Sequence, residues 1–505
     1  MTVQSEDRSQ VALPFAAIVL AMLPAVLDQT ILATGLPVVA RDLGALSDVS
    51  WVVTAYVVSA AATTPLWGKL GDRHGRKLLL QVSLAVFVTA SAVCAAAQDI
   101  TQLIALRAIQ GAAAGGLMTL AMAAVGDLVA PRERGRYQGY IAATFAVATI
   151  VGPLLGGLLV EHASWRWVFL VNLPLGATAF VALALRLPAP DTEPARQRLD
   201  GFGAALLAGA TSAFMLICIW GGGRYAWDST PIFALIAVTV LLAGALVVRE
   251  RRAADPIVPM HLLRSRAVAV ASSVLFLGTA ALFAITVFVP LFLQTTTGAS
   301  PTEAGLLLVP AMLGITVSTT LSGRSIARTG RYKRFPVAGL ALMTGALALL
   351  AASAQEASQL WTGLGLTLFG LGFGMVTQVL VVAVQNHVER RELGVATATT
   401  GFFRALGGAA GAAVLGAVFA AQAGARASDS GHGLGPALRA DVVDGVQAVF
   451  MVAAPVAALA LLIVLLLPEA PLRTRAEHAP ALERAAPATA RQAPSGRNPE
   501  PEPVR

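Results

Sequence analysis

A chain of 505 residues that is 56% hydrophobic and 13% charged, with a mean hydropathy of +0.72, does not have water as its main solvent, because soluble globular chains carry about 25% charge. The formal net charge of +8 does not point to nucleic acid, since the basic residues are spread over short loops and not gathered on one face. Cys94 and Cys218 each lie inside an apolar run without a CxxC partner, which excludes a disulfide framework and a zinc site, so no metal or cofactor is expected.

Apolar windows of about 20 residues, enough to cross a hydrocarbon core about 30 Å thick, fall at 12–37, 51–68, 78–97, 101–126, 138–160, 167–187, 202–221, 231–248, 268–292, 303–322, 335–353, 359–384, 395–420 and 447–467. This predicts an all-α membrane protein with fourteen transmembrane helices. The run from Val11 exceeds the core of a signal peptide and no small-x-small site follows it, so the first span is expected to stay. The divisions are a cytoplasmic N-terminus 1–11, a six-helix half 12–187, two inserted helices 202–248, a second six-helix half 268–467, and a tail 468–505. The stretch 421–446 is expected to be the longest outer loop. The tail is rich in Pro, Ala and Arg and too poor in large apolar residues to build a core, so it is expected to be disordered.

With the N-terminus inside, the six inner loops hold 22 Lys and Arg and the seven outer loops hold five. Cytoplasmic loops are the basic ones, so both termini are expected to be cytoplasmic. Arginine outnumbers lysine 33 to 3, with abundant Ala, Gly and Pro, as a GC-rich bacterial genome encodes.

Two inner loops repeat one pattern. GKLGDRHGRK (Gly68 to Lys77) follows the second span and GRSIARTGRY (Gly323 to Tyr332) follows the tenth, with Gly, Arg, Gly and Arg at matching places and Ala327 where the first copy has Asp72. A duplicated six-span half with two helices between the copies accounts for the spacing.

Four further segments join that loop: LDQTILATGLP (Leu27 to Pro37), LIALRAIQGAAAG (Leu103 to Gly115), GPLLGG (Gly152 to Gly157) and WRWVFLVNLPLG (Trp165 to Gly176). Together they resemble the major facilitator superfamily and, within it, the fourteen-span drug:proton antiporters of the second drug-antiporter family, nearly to Leu467. The resemblance implies two six-helix halves that alternate in access and a proton-coupled exporter of lipophilic small molecules, drugs or antibiotics. It implies residence in the bacterial cell membrane and function as a monomer.

Asp28 lies mid-span, where an ionised carboxylate costs some kcal/mol and is normally retained for coupling or ligand binding. Its other reading is a polar contact between helices. Arg107 is the other deep charge of this half, and at 1.5 Å per residue the two depths differ by about 5 Å, which an arginine can bridge. Burial favours a protonated carboxyl and a nearby guanidinium an ionised one, so changing their separation would load and release a proton. A static ion pair is the alternative.

By resemblance, the inner-loop residues Gly68, Asp72, Arg73, Gly75 and Arg76 gate conformational change. Asp72 meets the start of a second-half helix near Gly394, and Arg76 pairs with Asp127. The simpler use of the arginines is to anchor topology. Gly152, Pro153, Gly156 and Gly157 set a proline kink beside a small-xxx-small surface. The resemblance reads this as an antiporter marker, while a purely structural kink stays open. Gln110, Asn172, Gln294, Gln378 and Gln385 are candidates for a substrate cavity, with bonds across helices as the other reading, and Arg404 is a further candidate whose alternative is a pairing with backbone carbonyls.

No GxxxxGK[ST] loop is present to bind ATP, and no HExxH or nucleophile triad to make an enzyme. Alternatives of the same fold are an exporter of a lipid or endogenous metabolite, or a solute importer.

Overall fold

In the computed structural model, residues 3–43, 48–188, 200–253, 255–297, 308–356, 358–427 and 436–472 are described. Apart from one isolated bridge between Gly221 and Tyr225, their regular elements are helices. Most of the basic loop predicted over 186–198, and the tail from 473, lie outside the described residues.

The N-terminal half comprises α1 (Val3–Asp42), α2 (Ser50–His74), α3 (Arg76–Ala95), α4 (Ile100–Leu128), α5 (Pro131–His162), α6 (Trp167–Leu170) and α7 (Asn172–Arg186). Asp99 starts α4 by accepting the Gln102 N–H at 2.8 Å, as a helix N-cap does. The predicted span 167–187 divides between α6 and α7 because Pro174 has no N–H to give the Leu170 carbonyl. That break sets Asn172 at the first position of α7.

The inserted pair is α8 (Gly201–Trp220) and α9 (Thr230–Arg252). Asp200 caps α8 through the Gly203 N–H at 3.0 Å. Arg249 near the end of α9 grips the same carboxylate through Nε and Nη2, both at 2.9 Å, and these hydrogen bonds hold Asp200 below the usual carboxylate range. Through α8 the pair lies against α2 and the second half, while α9 buries only Ile232 and Glu250.

The C-terminal half follows as α10 (Met260–Arg264), α11 (Arg266–Phe283), a π turn (Ala284–Phe288), α12 (Val289–Thr297), α13 (Val309–Thr329), α14 (Arg334–Ser353), α15 (Gln359–His387), α16 (Leu393–Ala427) and α17 (Pro436–Val464). The π turn precedes Pro290, whose ring crowds the Thr286 carbonyl and disfavours the ordinary helical register. Each half closes over its own apolar core, one including Ile18, Leu84 and Leu120 and the other Val274, Met343 and Phe369. The halves meet where α2 packs on α16 and α5 on α13.

Twelve helical stretches among the described residues are long and apolar enough to cross a membrane. The chain is thus a multi-pass membrane protein. Of the fourteen predicted spans, α2 and α13 are also long, at 25 and 21 residues, but fall outside that twelve. Their sequences explain it: α2 carries Ser50, Thr54, Ser59, Thr63 and Thr64 in its uncharged stretch, and α13 carries Thr316, Ser318, Thr319, Thr320 and Ser322.

Two expectations need correction. The outer loop expected over 421–446 is largely helix, since α16 runs to Ala427 and α17 begins at Pro436. The first residues of the expected disordered tail are held in place. Tyr332 donates its hydroxyl to the Pro468 carbonyl at 2.7 Å and accepts the Ala470 N–H at 3.1 Å, and Leu472 is buried. The enclosure that buries Tyr332 raises its phenol above the ordinary value.

Candidate functional site

The deepest polar cluster gathers α1, α3, α4 and α7 around Asp28. Arg107 Nη1 donates to Asp28 Oδ2 at 2.5 Å and to Gln110 Oε1 at 2.7 Å. Gln110 Nε2 and Asn172 Nδ2 donate to Asp28 Oδ1 at 2.9 and 3.1 Å. Arg107 also donates through Nε to the Val52 carbonyl at 3.2 Å and lies over the Tyr56 ring, 4.2 Å from its centroid, a favourable place for a desolvated cation. Asp28, Gln110 and Asn172 have no solvent exposure and Arg107 has 1%. Arg107, Gln110 and Asn172 all donate to the carboxylate, which serves here as an acceptor on both oxygens.

The expected reach of Arg107 to Asp28 is therefore made. Gln110 and Asn172, expected to line a substrate cavity, instead hold this carboxylate. Helix periodicity explains Gln110, three residues beyond Arg107 and so on the same face of α4. Asn172 arrives through the α6–α7 break. Tyr56 and Ser91, which accepts from Asn172 Nδ2 at 3.0 Å, were not legible as members, because single polar residues in apolar runs do not reveal which way they face.

A second cluster ties the halves together at the end bearing the α2–α3 turn. Asp72 accepts the Gly394 and Val395 N–H groups, each at 2.8 Å, at the start of α16, a position where the helix dipole favours an anion. Arg76 bonds Asp72 at 2.8 Å, forms an ion pair with Asp127 and donates to the Ala123 carbonyl at 2.8 Å. Gly68 lies where a Cβ would strike the Gly394 carbonyl and Ala398. Both contacts implied for Asp72 and Arg76 are present.

The repeated motif shows itself in the backbone. Gly75 ends α2 with φ 84° and Gly330 ends α13 with φ 70°, in the region glycine tolerates. Gly68 faces Gly394, and its counterpart Gly323 faces Gly135. Where Ala327 replaces Asp72, the tie between halves reverses polarity. Arg132 in the first turn of α5 donates to the Ala327 and Arg328 carbonyls at 2.7 and 2.9 Å.

Arg73 and Lys69 face Asp255, the carboxylate of the linker that leaves the inserted helices. Sequence reading passed over this contact, although Asp255 is the single acid between Arg251 and Arg266.

On α5, Gly152 and Gly156 face Thr30 and the Ile31–Thr34 turn of α1 so closely that a Cβ at either would collide, whereas Gly157 faces open space. Only two of the three motif glycines thus serve helix contact. Helix α5 continues unbroken past Pro153.

A central cavity lies between the halves. Met22, Met118, Met122 and Phe145 line it from one half, and Leu275, Gln378, Thr400 and Arg404 from the other. Gln385 donates to Thr397 Oγ1 at 3.0 Å and to the Met122 carbonyl at 3.4 Å, joining the halves beside it. Of the residues proposed from sequence for a substrate cavity, Gln378 and Arg404 line this one, while Gln294 is half-buried on α12 and does not line it.

A family model described as the Major Facilitator Superfamily matches residues 18–412, and the chain belongs to that superfamily, a family of transporters and not of enzymes. An uncharacterized MFS-type transporter of Mycobacterium tuberculosis (strain ATCC 25618 / H37Rv) is 39% identical over 405 residues, 80% of this chain and 59% of that protein. The chain thus spans 59% of the length of that relative. The multidrug transporter protein MdtP of Bacillus subtilis (strain 168) is 33% identical over 418 residues, 83% of this chain and 77% of that protein. The solved structure of the proton:xylose symporter XylE bound to 6-bromo-6-deoxy-D-glucose is similar with a TM-score of 0.64 at 14% identity, covering 93% of this chain and 98% of that one. At that identity the likeness concerns the fold alone.

Proposed function

We propose that the protein is a proton-coupled antiporter that exports lipophilic small molecules across a bacterial cell membrane, acting as a monomer with both termini in the cytoplasm. In this reading α2 and α13 also cross the bilayer, making fourteen spans. Their hydroxyls support this, since Thr316 and Thr320 bond carbonyls one turn back at 3.0 and 2.8 Å and so need no water.

The observation that carries the reading is Asp28, a carboxylate sealed from solvent mid-helix and gripped by Arg107, Gln110 and Asn172. Such a group is costly in a membrane and suits a proton carrier. The ties of Asp72 and Arg132 join the halves at the basic end, and in this reading that end is the cytoplasmic one and the conformation is the outward-facing one. A proton arriving from outside neutralises Asp28 and weakens its hold on Arg107. Helix α1 then shifts on the Gly152–Gly156 surface of α5, the basic-end ties break, and the cavity opens to the cytoplasm, where substrate enters and the proton leaves.

One proton entering down 100 mV and one pH unit supplies about 3.7 kcal/mol. For a neutral substrate exchanged one for one, that sustains a gradient of several hundredfold. The test is accumulation of the neutral dye Nile red in an efflux-deficient bacterium expressing wild type or Asp28→Asn. Wild type is expected to lower accumulation, and a protonophore or the substitution to abolish the effect. Equal export by Asp28→Asn at equal expression would falsify the coupling role.

A further inference from the structure

Among the residues lining the central cavity there is one formal charge, Arg404 of α16, and no carboxylate. Among the described residues Arg404 forms no ion pair and no hydrogen bond, and its side chain is exposed to the cavity space. Asp28 cannot serve as its counterion, since both carboxylate oxygens are engaged by Arg107, Gln110 and Asn172. An unpaired guanidinium inside a protein is costly and is relieved by an anion.

Around it the cavity is apolar and adaptable. Met22, Met118 and Met122 offer polarizable side chains that repack around varied shapes, and Phe145 offers a ring. Gln378, whose Oε1 is buried without a hydrogen-bond partner, supplies a polar group to the same cavity. One fixed positive charge within a methionine-rich wall is complementary to a molecule with a hydrophobic body and a single negative group.

We propose that the preferred substrates are lipophilic monoanions, carboxylates or sulfonates, whose charged group pairs with Arg404 while the body packs on the methionines. This rests on the export reading above and gives it a substrate class. Energetics favour it too. A potential of about 100 mV is worth about 50-fold per charge. A proton entering and an anion leaving move charge in the same sense, so both contribute, whereas a departing cation cancels the proton's electrical gain.

The experiment is uptake of three dyes into energised inside-out vesicles carrying the full chain: 8-anilinonaphthalene-1-sulfonate as the monoanion, Nile red as the neutral probe and ethidium as the cation. Wild type is expected to take up the sulfonate in preference to ethidium. Arg404→Gln is expected to lower the ratio of sulfonate to Nile red uptake at least tenfold, and Arg404→Lys, which keeps the charge, to hold it within threefold of wild type. A ratio within twofold of wild type in Arg404→Gln overturns the proposal, as does preference for ethidium. Nile red uptake without sulfonate uptake overturns the anion assignment and leaves the export reading standing. Uptake of none of the three overturns both.

Discussion

Asn172 Nδ2 stands 3.1 Å from Asp28 Oδ1, and its own Oδ1 is buried without a hydrogen-bond partner. The amide thus has one end that serves an ionised carboxylate and another left idle. If Asp28 takes a proton, rotating the amide by half a turn turns the idle oxygen toward the new O–H, so Asn172 can satisfy both states of the carrier.

Asn172→Leu keeps the branched shape and the number of heavy atoms, at a somewhat larger volume, and removes both abilities. Its expected effect is an at least tenfold loss of pH-driven export. The accompanying loss of stability should be only about 1–3 kcal/mol, the cost of leaving buried polar partners unmet. Export rate and thermal unfolding in detergent check the two separately. Export near the wild-type rate would reduce the amide to a packing group.

The pairing of Asp28 with Arg107 should appear as coupling in a double-mutant cycle. Removing one member of a buried ion pair costs about 3–5 kcal/mol, because the other charge is left uncompensated. Arg107→Gln and Asp28→Asn are each expected to lower the unfolding temperature strongly, and the double variant to recover part of the loss. Strictly additive losses would mean that the two charges do not depend on each other.

Much of this arrangement could be read before any coordinates. Asp28 and Arg107 stood out because a charge in a long apolar run is conspicuous, and the matching glycines of the two loops announced the repeat that Gly75 and Gly330 express in their backbone angles. The orientation of uncharged polar residues stayed hidden. Gln110 and Gln378 look alike in sequence, yet one binds Asp28 and the other lines the cavity, because facing is decided by how helices rotate against one another. The ends of α16 and α17 were also misjudged, since Arg439, Asp441 and Asp444 read as loop residues and yet sit inside a helix.

The tie from Asp72 to the start of α16 should set how often the basic end opens. Loss of a helix-capping carboxylate costs about 0.5–2 kcal/mol, so Asp72→Ala is expected to raise the open fraction by about twofold to thirtyfold. Gly394→Val should act more strongly, because a Cβ at that position would strike the Asp72 carboxylate and the Gly68 carbonyl. Spin labels at the exposed positions His74 and Arg391 report the distance between the two sides of this contact. Longer distances are expected in both variants, and an unchanged distribution would remove Asp72 from the gate.

The glycines of α5 separate into two kinds that substitution should distinguish. Gly152→Val drives side-chain atoms into Thr30 of α1, two residues from Asp28, and is expected to destabilise the protein by several kcal/mol and stop export. Gly157→Ala meets nothing within 4 Å and removes a poor helix former, so a gain of up to about 1 kcal/mol is expected. Thermal unfolding of the two variants side by side measures the contrast.

The most direct test of proton exchange at Asp28 is proton movement itself, in proteoliposomes holding the pH dye pyranine and given Nile red from outside. The account predicts that wild type alkalinises the lumen as dye enters and protons leave, and that Asp28→Asn produces no pH change although it still binds dye. Dye movement without a pH change, acidification of the lumen, or a full response from Asp28→Asn would contradict it.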